Sequence, residues 1–280
     1  MKARVIFLIL ITIIAFLSFL ISCTSNPVVS DNWHLVWEDN FNGGTLDTSK
    51  WNVLLREHSK HNELQYYVPD EVYVEDGNLR IRSRVRKYGD MEYTSGRLDT
   101  RSKFTPVYGR FEILGRLPVG QGIWPAYWLY PQNRNWQMEY VMFEAVANGR
   151  ESFIPEERPW YSEIDIMEFL GHEPNILYGT LHYYSFDGQK KTSSGTWRGN
   201  ADYSKDFHLY VLEWEPDSMR WFIDDKVIHR TASGIPHSPH YLIINTAIGG
   251  GWPGNPDSTT VFPQFHDVDY VRVYQKKNPF

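Results

Sequence analysis

The chain has 280 residues, a formal net charge of −6 and a single cysteine. The negative charge argues against nucleic acid as a partner and gives no basic patch for anionic polymers, and one cysteine excludes an internal disulfide and a cysteine metal site. Aromatic residues are abundant for this length, with 11 Trp and 18 Tyr.

The first element in the chain predicts export. An apolar run, Val5–Ile21, follows two basic residues and is typical of a signal peptide, although its length approaches that of a membrane-spanning helix. The residues Leu20-Ile21-Ser22-Cys23 resemble the bacterial lipobox, in which the cysteine becomes the lipid-bearing first residue of the mature protein. Residues 1–22 are therefore predicted to be a lipoprotein signal peptide, Cys23 the lipidation site and 23–32 a linker. The alternative is an uncleaved membrane anchor.

Both alternatives predict an exported domain that is tethered to a membrane. Thr24 and Ser25 follow the cysteine, and neither is an Asp retention signal. The expected location is the cell envelope, at the outer membrane or the cell surface. An exported domain without disulfides depends on its core, and about 250 residues can supply one as a single all-β domain.

From Trp33 onward the sequence alternates strands with turns. The segment Leu79–Arg86 places apolar and charged residues at alternate positions, which predicts a strand with one wet face. Turn residues such as those of 75–78 separate the strands, and no long segment has a helical period. The predicted strands are His34–Phe41, Val72–Glu75, Leu79–Arg86, Tyr108–Leu117, Ile123–Tyr130, Ser162–Phe169, Leu177–Tyr184, Phe207–Glu215, Arg220–Ile223, Lys226–Arg230, Tyr241–Ile248 and Val268–Tyr274. This pattern predicts one all-β sandwich domain over 33–276.

One predicted strand, Ser162–Phe169, carries three carboxylates separated by apolar residues. Regular alternation places Glu163 and Asp165 on one face and Glu168 with the core, where a carboxylate is costly to bury. One extra residue near Ile166-Met167, a β-bulge, returns Glu168 to the acidic face. Bulges are frequent beside active sites because they redirect a side chain.

Crowded carboxylates disfavour one another's ionisation, so the pKa of one of them is expected to lie well above the usual value for Glu of about 4.3. An ionised carboxylate facing a protonated one is what glycoside hydrolysis needs. The side chains of Glu163 and Glu168 can bring their carboxyl groups to about 5–5.5 Å, the spacing of retaining enzymes. The alternative is an edge strand whose solvated acidic face discourages aggregation.

Several motifs together closely resemble the bacterial laminarinases of glycoside hydrolase family 16, over about 37–274. The matching segments are Asn62–Tyr67, Glu75–Leu79, Thr94–Leu98, Gly120–Leu129, Glu163–Glu168, Gly171–Pro174, Tyr178–His182, Trp252–Pro256 and Val268–Tyr274. The resemblance implies a concanavalin A-like β-jelly roll of two curved antiparallel sheets with a sugar cleft. It also implies a retaining endo-β-1,3-glucanase that needs no cofactor for catalysis and acts as a monomer on β-glucan.

The resemblance assigns roles to the three carboxylates. Glu163 matches the nucleophile, Glu168 the general acid/base, and Asp165 the carboxylate that orients and tunes Glu163. Met167 is the extra residue of the bulged motif. Bulged members of the family also cleave agar and carrageenan, the unbulged form is typical of mixed-linkage lichenases, and some jelly rolls of this kind only bind glucan. The negative charge of the domain fits a neutral glucan better than a sulfated galactan.

The resemblance also indicates the residues that bind substrate and metal. Trp124 and Trp128 lie four apart in one strand, so both point to the same face, under the sugars or, alternatively, into the core. The polar cleft residues and the rim contact implied by the match are Asn62, Arg97, His182 and Trp252. The resemblance implies a structural Ca²⁺ site at Glu38, Gly77 and Asp269, and the alternative is that the aspartate only caps a strand. The long stretch 131–161 departs from the family pattern and is expected to form a cleft wall or an extra subsite.

Overall fold

The computed structural model describes residues 32–57, 61–132, 162–184 and 189–277. The predicted signal peptide, the lipidation site Cys23, most of the linker and residues 133–161 of the long stretch lie outside these residues, so those expectations stay predictions. Within the described ranges, no helix is long and apolar enough to cross a membrane.

Eighteen strands and a short 3₁₀ turn at Pro69–Glu71 make up the regular structure of the described residues. The strands are β1 (Trp33–Asp39), β2 (Asn52–Val53), β3 (Arg56–Glu57), β4 (Gln65–Tyr67), β5 (Val72–Glu75), β6 (Asn78–Tyr88), β7 (Met91–Ser95), β8 (Arg97–Asp99), β9 (Gly109–Arg116), β10 (Ile123–Pro131), β11 (Glu163–Glu168), β12 (Ile176–Tyr184), β13 (Lys190–Arg198), β14 (His208–Trp214), β15 (Met219–Ile223), β16 (Lys226–Thr231), β17 (His240–Ile248) and β18 (Gln264–Lys276).

Two sheets form the predicted sandwich. The smaller sheet has seven strands in the order β13-β12-β11-β10-β17-β8-β2, and the larger sheet has eleven. Their pairing is antiparallel except between β4 and β7, which run parallel. The predicted all-β fold of two antiparallel sheets is therefore confirmed, and the acidic strand β11 lies inside the smaller sheet and not at its edge.

All twelve predicted strands are present, with ends shifted by a few residues, but six further strands were not predicted. The longest of these is β13, whose sequence Lys190–Arg198 is almost entirely polar. It lies at the edge of the smaller sheet, paired only with β12. An edge strand with two wet faces needs no apolar alternation, and its lysines discourage pairing with another chain. That is why periodicity did not detect it.

The hydrophobic core lies between the two sheets and packs against the buried face of the acidic strand β11. Ile164 and Ile166 of β11, which are 0% and 2% exposed, belong to one buried hydrophobic cluster with Leu212 of β14 and Trp221 of β15 from the larger sheet. β-branched side chains have few rotamers to lose and pack tightly on a pleated surface. The buried face of β11 is therefore tightly packed, and this packing holds in place the strand that carries the three carboxylates.

The wet face predicted for β6 is occupied by an arginine ladder, which we define as Arg80, Arg82, Arg84 and Arg86. Glu71, which is fully buried, accepts hydrogen bonds from three of these arginines at 2.6–3.0 Å and from Thr94 at 2.7 Å. Burial alone would raise the pKa of Glu71, but these bonds outweigh it and hold that pKa below its usual value. Arg80 is paired with Asp267 at 2.7 Å. Every guanidinium of the ladder therefore has a carboxylate partner.

Candidate active site

A β-bulge in β11 brings the three carboxylates to one face. The pairing with β10 shifts by one residue between Asp165, which faces Trp128, and Met167, which faces Tyr127. The unpaired residue next to β10 is thus Ile166, one position before Met167, which the motif comparison gave as the extra residue. Ile166 and Met167 are both buried in the core, at 2% and 1% exposure. The bulge predicted near these residues is confirmed, and it keeps Glu168 out of the core.

A tryptophan from the other sheet supports the bulge from below. Trp221 is fully buried and donates its indole N–H to the carbonyl oxygen of Asp165 at 2.9 Å. On β12, Gly179 lies opposite the bulge, between the partners of Asp165 and Glu168. A Cβ at Gly179 would come within 2.8 Å of the Trp221 ring. Gly179 therefore leaves room for the indole of Trp221, whose N–H forms a hydrogen bond to the main-chain carbonyl of Asp165 at the bulge.

The pKa values of two carboxyl groups on β11 are raised. Burial, and then the charge of Glu163, raise the pKa of Glu168 to about 8, although the indole N–H of Trp124 opposes this by donating to its Oε1 at 3.2 Å. Burial, with the charges of Glu168 and Glu163, also raises the pKa of Asp165 well above its usual value. The expected upward pKa shift is thus found for two carboxyls. At neutral pH Glu168 can donate a proton.

His182 lies against the central carboxylate of this group. Its Nε2 is 3.5 Å from Asp165 Oδ2, and its Nδ1 is 2.9 Å from Thr192 Oγ1 on β13. Burial, and then Lys190, lower the pKa of His182. A neutral imidazole can donate one N–H and accept with the other nitrogen. His182 therefore contacts the carboxylate side of the site, as the resemblance implied.

The three carboxylates open into a cavity of about 570 Å³ on the outer face of the smaller sheet. Trp124 and Trp128 both line it, so the alternative that they form a core pair is wrong. Trp128 donates its indole N–H to Asn245 Oδ1 at 2.7 Å, which fixes the ring plane on the cavity floor. Aromatic faces with a few convergent polar groups are typical of sites that bind sugars by contact and hydrogen bonding.

Trp252 extends this aromatic surface beyond the cavity. It is 43% exposed and packs edge-on against Trp124, with ring centroids 5.4 Å apart, and against Tyr178 at 4.9 Å. Trp252 thus lies at the rim, as expected. Asn62 is exposed with a left-handed φ of 60° and does not line the cavity, where its neighbours His61 and Glu63 lie instead.

Sequence reasoning found Arg97 but missed much of the remaining wall. The residues that line the cavity and were not predicted are Arg56, His61, Glu63, Tyr67, Arg101, Ala126, Tyr130, Pro131, Gln132, Tyr241, Asn245 and Ala247. Ala126 and Tyr130 share the face of the two tryptophans in β10, and Tyr241, Asn245 and Ala247 share one face of β17, so the strand period of 2 was the available signal. Most of the others come from short strands and loops that converge only in the folded chain.

The three predicted calcium ligands differ in how well they fit a cation. Asp269 lies at a register shift in β18, and in the described part of the chain its carboxylate accepts no hydrogen bond; burial raises its pKa. Gly77 has a φ of 76°, in the turn before β6. Glu38 fits poorly, because its carbonyl accepts from Lys50 Nζ at 2.8 Å and its carboxylate lies 3.5 Å from Arg272 Nε. Cationic side chains beside both oxygens oppose a metal ion there.

Comparisons with known proteins cover these same strands. The profile of the family described as Glycosyl hydrolases family 16 matches residues 61–272. The chain is 36% identical to the β-glucanase of Rhodothermus marinus, over 92% of each protein. It is 34% identical to the glucan endo-1,3-β-glucosidase of Cryptopygus antarcticus, over 86% of this chain and 92% of that protein. The laminarinase catalytic domain of Thermotoga maritima is similar in structure, with a TM-score of 0.72 and 34% identity, over 89% of this chain and all of that domain.

Proposed function

Because the chain belongs to glycosyl hydrolase family 16, we propose that it is a retaining endo-β-1,3-glucanase acting on laminarin-type polysaccharide. The observation that supports this most directly is the bulged strand β11. It presents Glu163 beside a Glu168 whose pKa is raised to about 8, at the edge of a cavity lined by tryptophan. The hydrolase chemistry needs no cofactor, because the two carboxyl groups supply both the nucleophile and the proton.

In the first step, we assign the attack to Glu163. Its carboxylate oxygen forms a bond to the anomeric carbon as the bond to the leaving oxygen breaks, and Glu168 gives its proton to that oxygen. The result is a glycosyl ester on Glu163, a released chain end and an ionised Glu168. The raised pKa keeps Glu168 protonated at neutral pH until this moment.

In the second step, the carboxylate of Glu168 takes a proton from a water molecule. The resulting hydroxide equivalent attacks the anomeric carbon and displaces Glu163, which restores both residues to their starting states. Two inversions at one carbon give overall retention. Asp165, held through its main-chain carbonyl by Trp221 and contacted by His182, is suited to orient Glu163 during both steps.

The tryptophan surface supports a glucan substrate. Trp124 lies beside the proposed acid, since its indole N–H reaches Glu168. A sugar stacked on this ring is therefore within reach of the general acid. Apolar sugar faces against Trp124 and Trp128, with hydroxyl contacts to polar side chains, favour binding of an extended chain in an open cleft.

The proposal is tested by measuring reducing ends released by purified 25–280 from laminarin, curdlan, lichenan, agarose and carrageenan. Laminarin is expected to give the highest kcat/KM, and proton NMR of its early products should show the β-anomer. A higher kcat/KM on agarose or carrageenan would reject the glucanase assignment but not the roles of the glutamates. An initial α-anomer would reject retention. Binding to laminarin without any hydrolysis would indicate a glucan-binding protein.

We also propose a structural Ca²⁺ at Asp269, without Glu38 as a ligand. Because a ligand that binds only the folded state stabilises it, saturating Ca²⁺ is expected to add about 2.7 kcal/mol at 100 times the dissociation constant, or roughly 5–10 °C in Tm. Differential scanning fluorimetry in Ca²⁺ and in EDTA measures this. Asp269→Asn should lose the shift, whereas Asp217→Asn, at an exposed turn, should keep it. Equal Tm values in both buffers would contradict the site.

Finally, we propose that the protein is exported and anchored to the cell envelope through lipid on Cys23. The support is the lipobox resemblance in the sequence alone. Detergent partitioning of the wild type and of Cys23→Ala tests it, since normal processing of the variant at another position would contradict lipidation.

A further inference from the structure

One side of the candidate cleft is cationic, although the chain as a whole has a net charge of −6. We call Arg56, Arg97 and Arg101, which all line the cavity, the cationic wall. Arg97 lies in β8 opposite Asn245, and Arg56 lies in β3 opposite Tyr67. Asn245 and Tyr67 are themselves joined by a hydrogen bond of 3.2 Å. Three arginines therefore converge at one part of the cavity, which the net charge by itself did not indicate.

The cationic wall differs from the arginine ladder in lacking ion pairs. Each guanidinium of the arginine ladder lies within 3.0 Å of a carboxylate oxygen. Among the described residues, by contrast, none of the three guanidiniums of the cationic wall forms an ion pair. Arg97 instead lies over the ring of Trp128, 4.9 Å from its centroid, and Arg101 over Tyr241 at 5.7 Å.

Two carboxylates beside the cationic wall, Asp99 near it in the sequence and Glu63 in the same cavity lining, accept hydrogen bonds from other groups. Asp99 accepts from the Asn52 amide at 2.9 Å and from the main-chain N–H of Arg101 at 3.1 Å. Glu63 accepts from the Gln65 amide at 2.8 Å. Neither reaches an arginine of the wall within ion-pair distance. The wall and its surroundings thus hold three arginines and these two carboxylates, with no ion pair between them among the described residues.

Arg97 supplies a second and independent observation. Its Nε is buried and, among the described residues, has no hydrogen-bond partner. Burial lowers the pKa of Arg97 and Arg56 adds to this, while Tyr67 and Asp99 oppose the shift. A buried guanidinium that lacks both a counter-ion and an Nε acceptor is costly, and such groups are commonly completed by a ligand. Stacking on Trp128 holds the guanidinium of Arg97 beside the cavity floor, where it can donate hydrogen bonds to an acceptor on a ligand.

Arg97 and the three carboxylates of β11 lie on different strands of the smaller sheet, and this separation indicates where a negative group of a ligand would bind. Strand β8 is separated from the carboxylate strand β11 by β10 and β17, and three strand spacings correspond to about 14 Å. Because Coulomb energy falls with distance, a negative group near β8 is repelled less by the acidic residues than one beside β11. A negative group beside β11 would be repelled by them.

From this geometry we propose that the cationic wall binds an oxyanion substituent, a sulfate ester or a carboxylate, on a sugar of the bound chain some distance from the cleaved bond. A planar guanidinium can donate two parallel hydrogen bonds to a sulfate or carboxylate group. Three guanidiniums together favour such a group over a neutral hydroxyl. The inference rests on the proposed glucanase function and narrows its substrate class to β-1,3-glucan chains that carry anionic groups.

The test compares kcat/KM on laminarin, on lightly sulfated laminarin and on laminarin oxidised to carboxylates at C6. The wild type is expected to cleave at least one anionic form more efficiently than laminarin, and the preferred form identifies the source of the oxyanion. Arg101→Gln and Arg56→Gln should each lower the ratio of anionic to neutral kcat/KM by about tenfold, the scale of a lost charge-assisted hydrogen bond. Raising NaCl from about 0.01 M to about 0.3 M should shrink the ratio of the wild type.

The matched control is Arg230→Gln, because Arg230 is exposed on β16 of the other sheet and its ratio should not change. Arg101 is exposed, so its variant is expected to fold even where Arg97→Gln does not. A ratio that is unchanged in both Arg101→Gln and Arg56→Gln would overturn the inference and leave the arginines as stacking residues. Failure of the wild type to cleave any of the three substrates would instead reject the glucanase function itself, and this inference with it.

Discussion

Glu163→Gln is expected to remove hydrolysis of laminarin while leaving the fold intact. The amide has nearly the same shape, but it cannot attack the anomeric carbon, so no glycosyl ester forms. Loss of a nucleophile in covalent catalysis typically lowers kcat by at least about 10⁴-fold, which places the variant in the assay background. Because the change removes a charge that raises the pKa of Glu168, it should not destabilise the protein.

The measurement is initial-rate reducing-sugar release, with Tm recorded for each variant. Glu92→Gln is the matched control, since Glu92 lies on β7 with a side chain 68% exposed and forms a long ion pair of 3.8 Å with Lys87. Asp165→Asn provides a comparison within the site and should be milder, with a shifted pH profile. If Glu163→Gln keeps a rate near that of Asp165→Asn, Glu163 is not the nucleophile.

Glu168→Gln should lower kcat/KM on laminarin by about 10²–10⁴, the usual contribution of a general acid. The loss should be smaller on aryl glucosides, whose leaving groups need little protonation. The pH dependence of kcat/KM is expected to follow the ionisation of Glu168. Since the pKa of Glu168 is raised to about 8, the acid is present below pH 8 and lost as the pH rises through that value. The wild type should therefore lose activity on the alkaline side, and Glu168→Gln should lack this limb.

A second variant tests the cause of the limb. The indole N–H of Trp124 donates to Glu168 and lowers its pKa, so Trp124→Phe should move the alkaline limb to higher pH. Its overall rate will also fall because the ring lies on the cavity floor. The position of the limb, and not the height of the profile, is the informative quantity. An unchanged alkaline limb in Glu168→Gln would assign the general acid to another group.

Parts of the fold were predictable because their signals are local. The wet face of β6 followed from alternation over Leu79–Arg86, and the bulge in β11 followed from the cost of burying Glu168 among isoleucines. The edge strand β13 was not predictable, since its polar sequence lacks a period of 2. The three-residue strand β8 depends on β2 and β17, which are distant from it in the sequence.

The sequence by itself determined the two-sheet fold, the three carboxylates of β11 and the pair of tryptophans in β10. Each is written in residues a few positions apart, where strand geometry alone decides which face a side chain takes. Only the tertiary structure decided the support of the bulge by Trp221, the absence of Asn62 from the cavity wall and the cationic wall itself. Net charge is a sum over residues, whereas the field in a cleft depends on where each charge lies and on its partner. Arg80 and Arg97 look alike in a sequence, but one folds against a carboxylate and the other beside an open cavity.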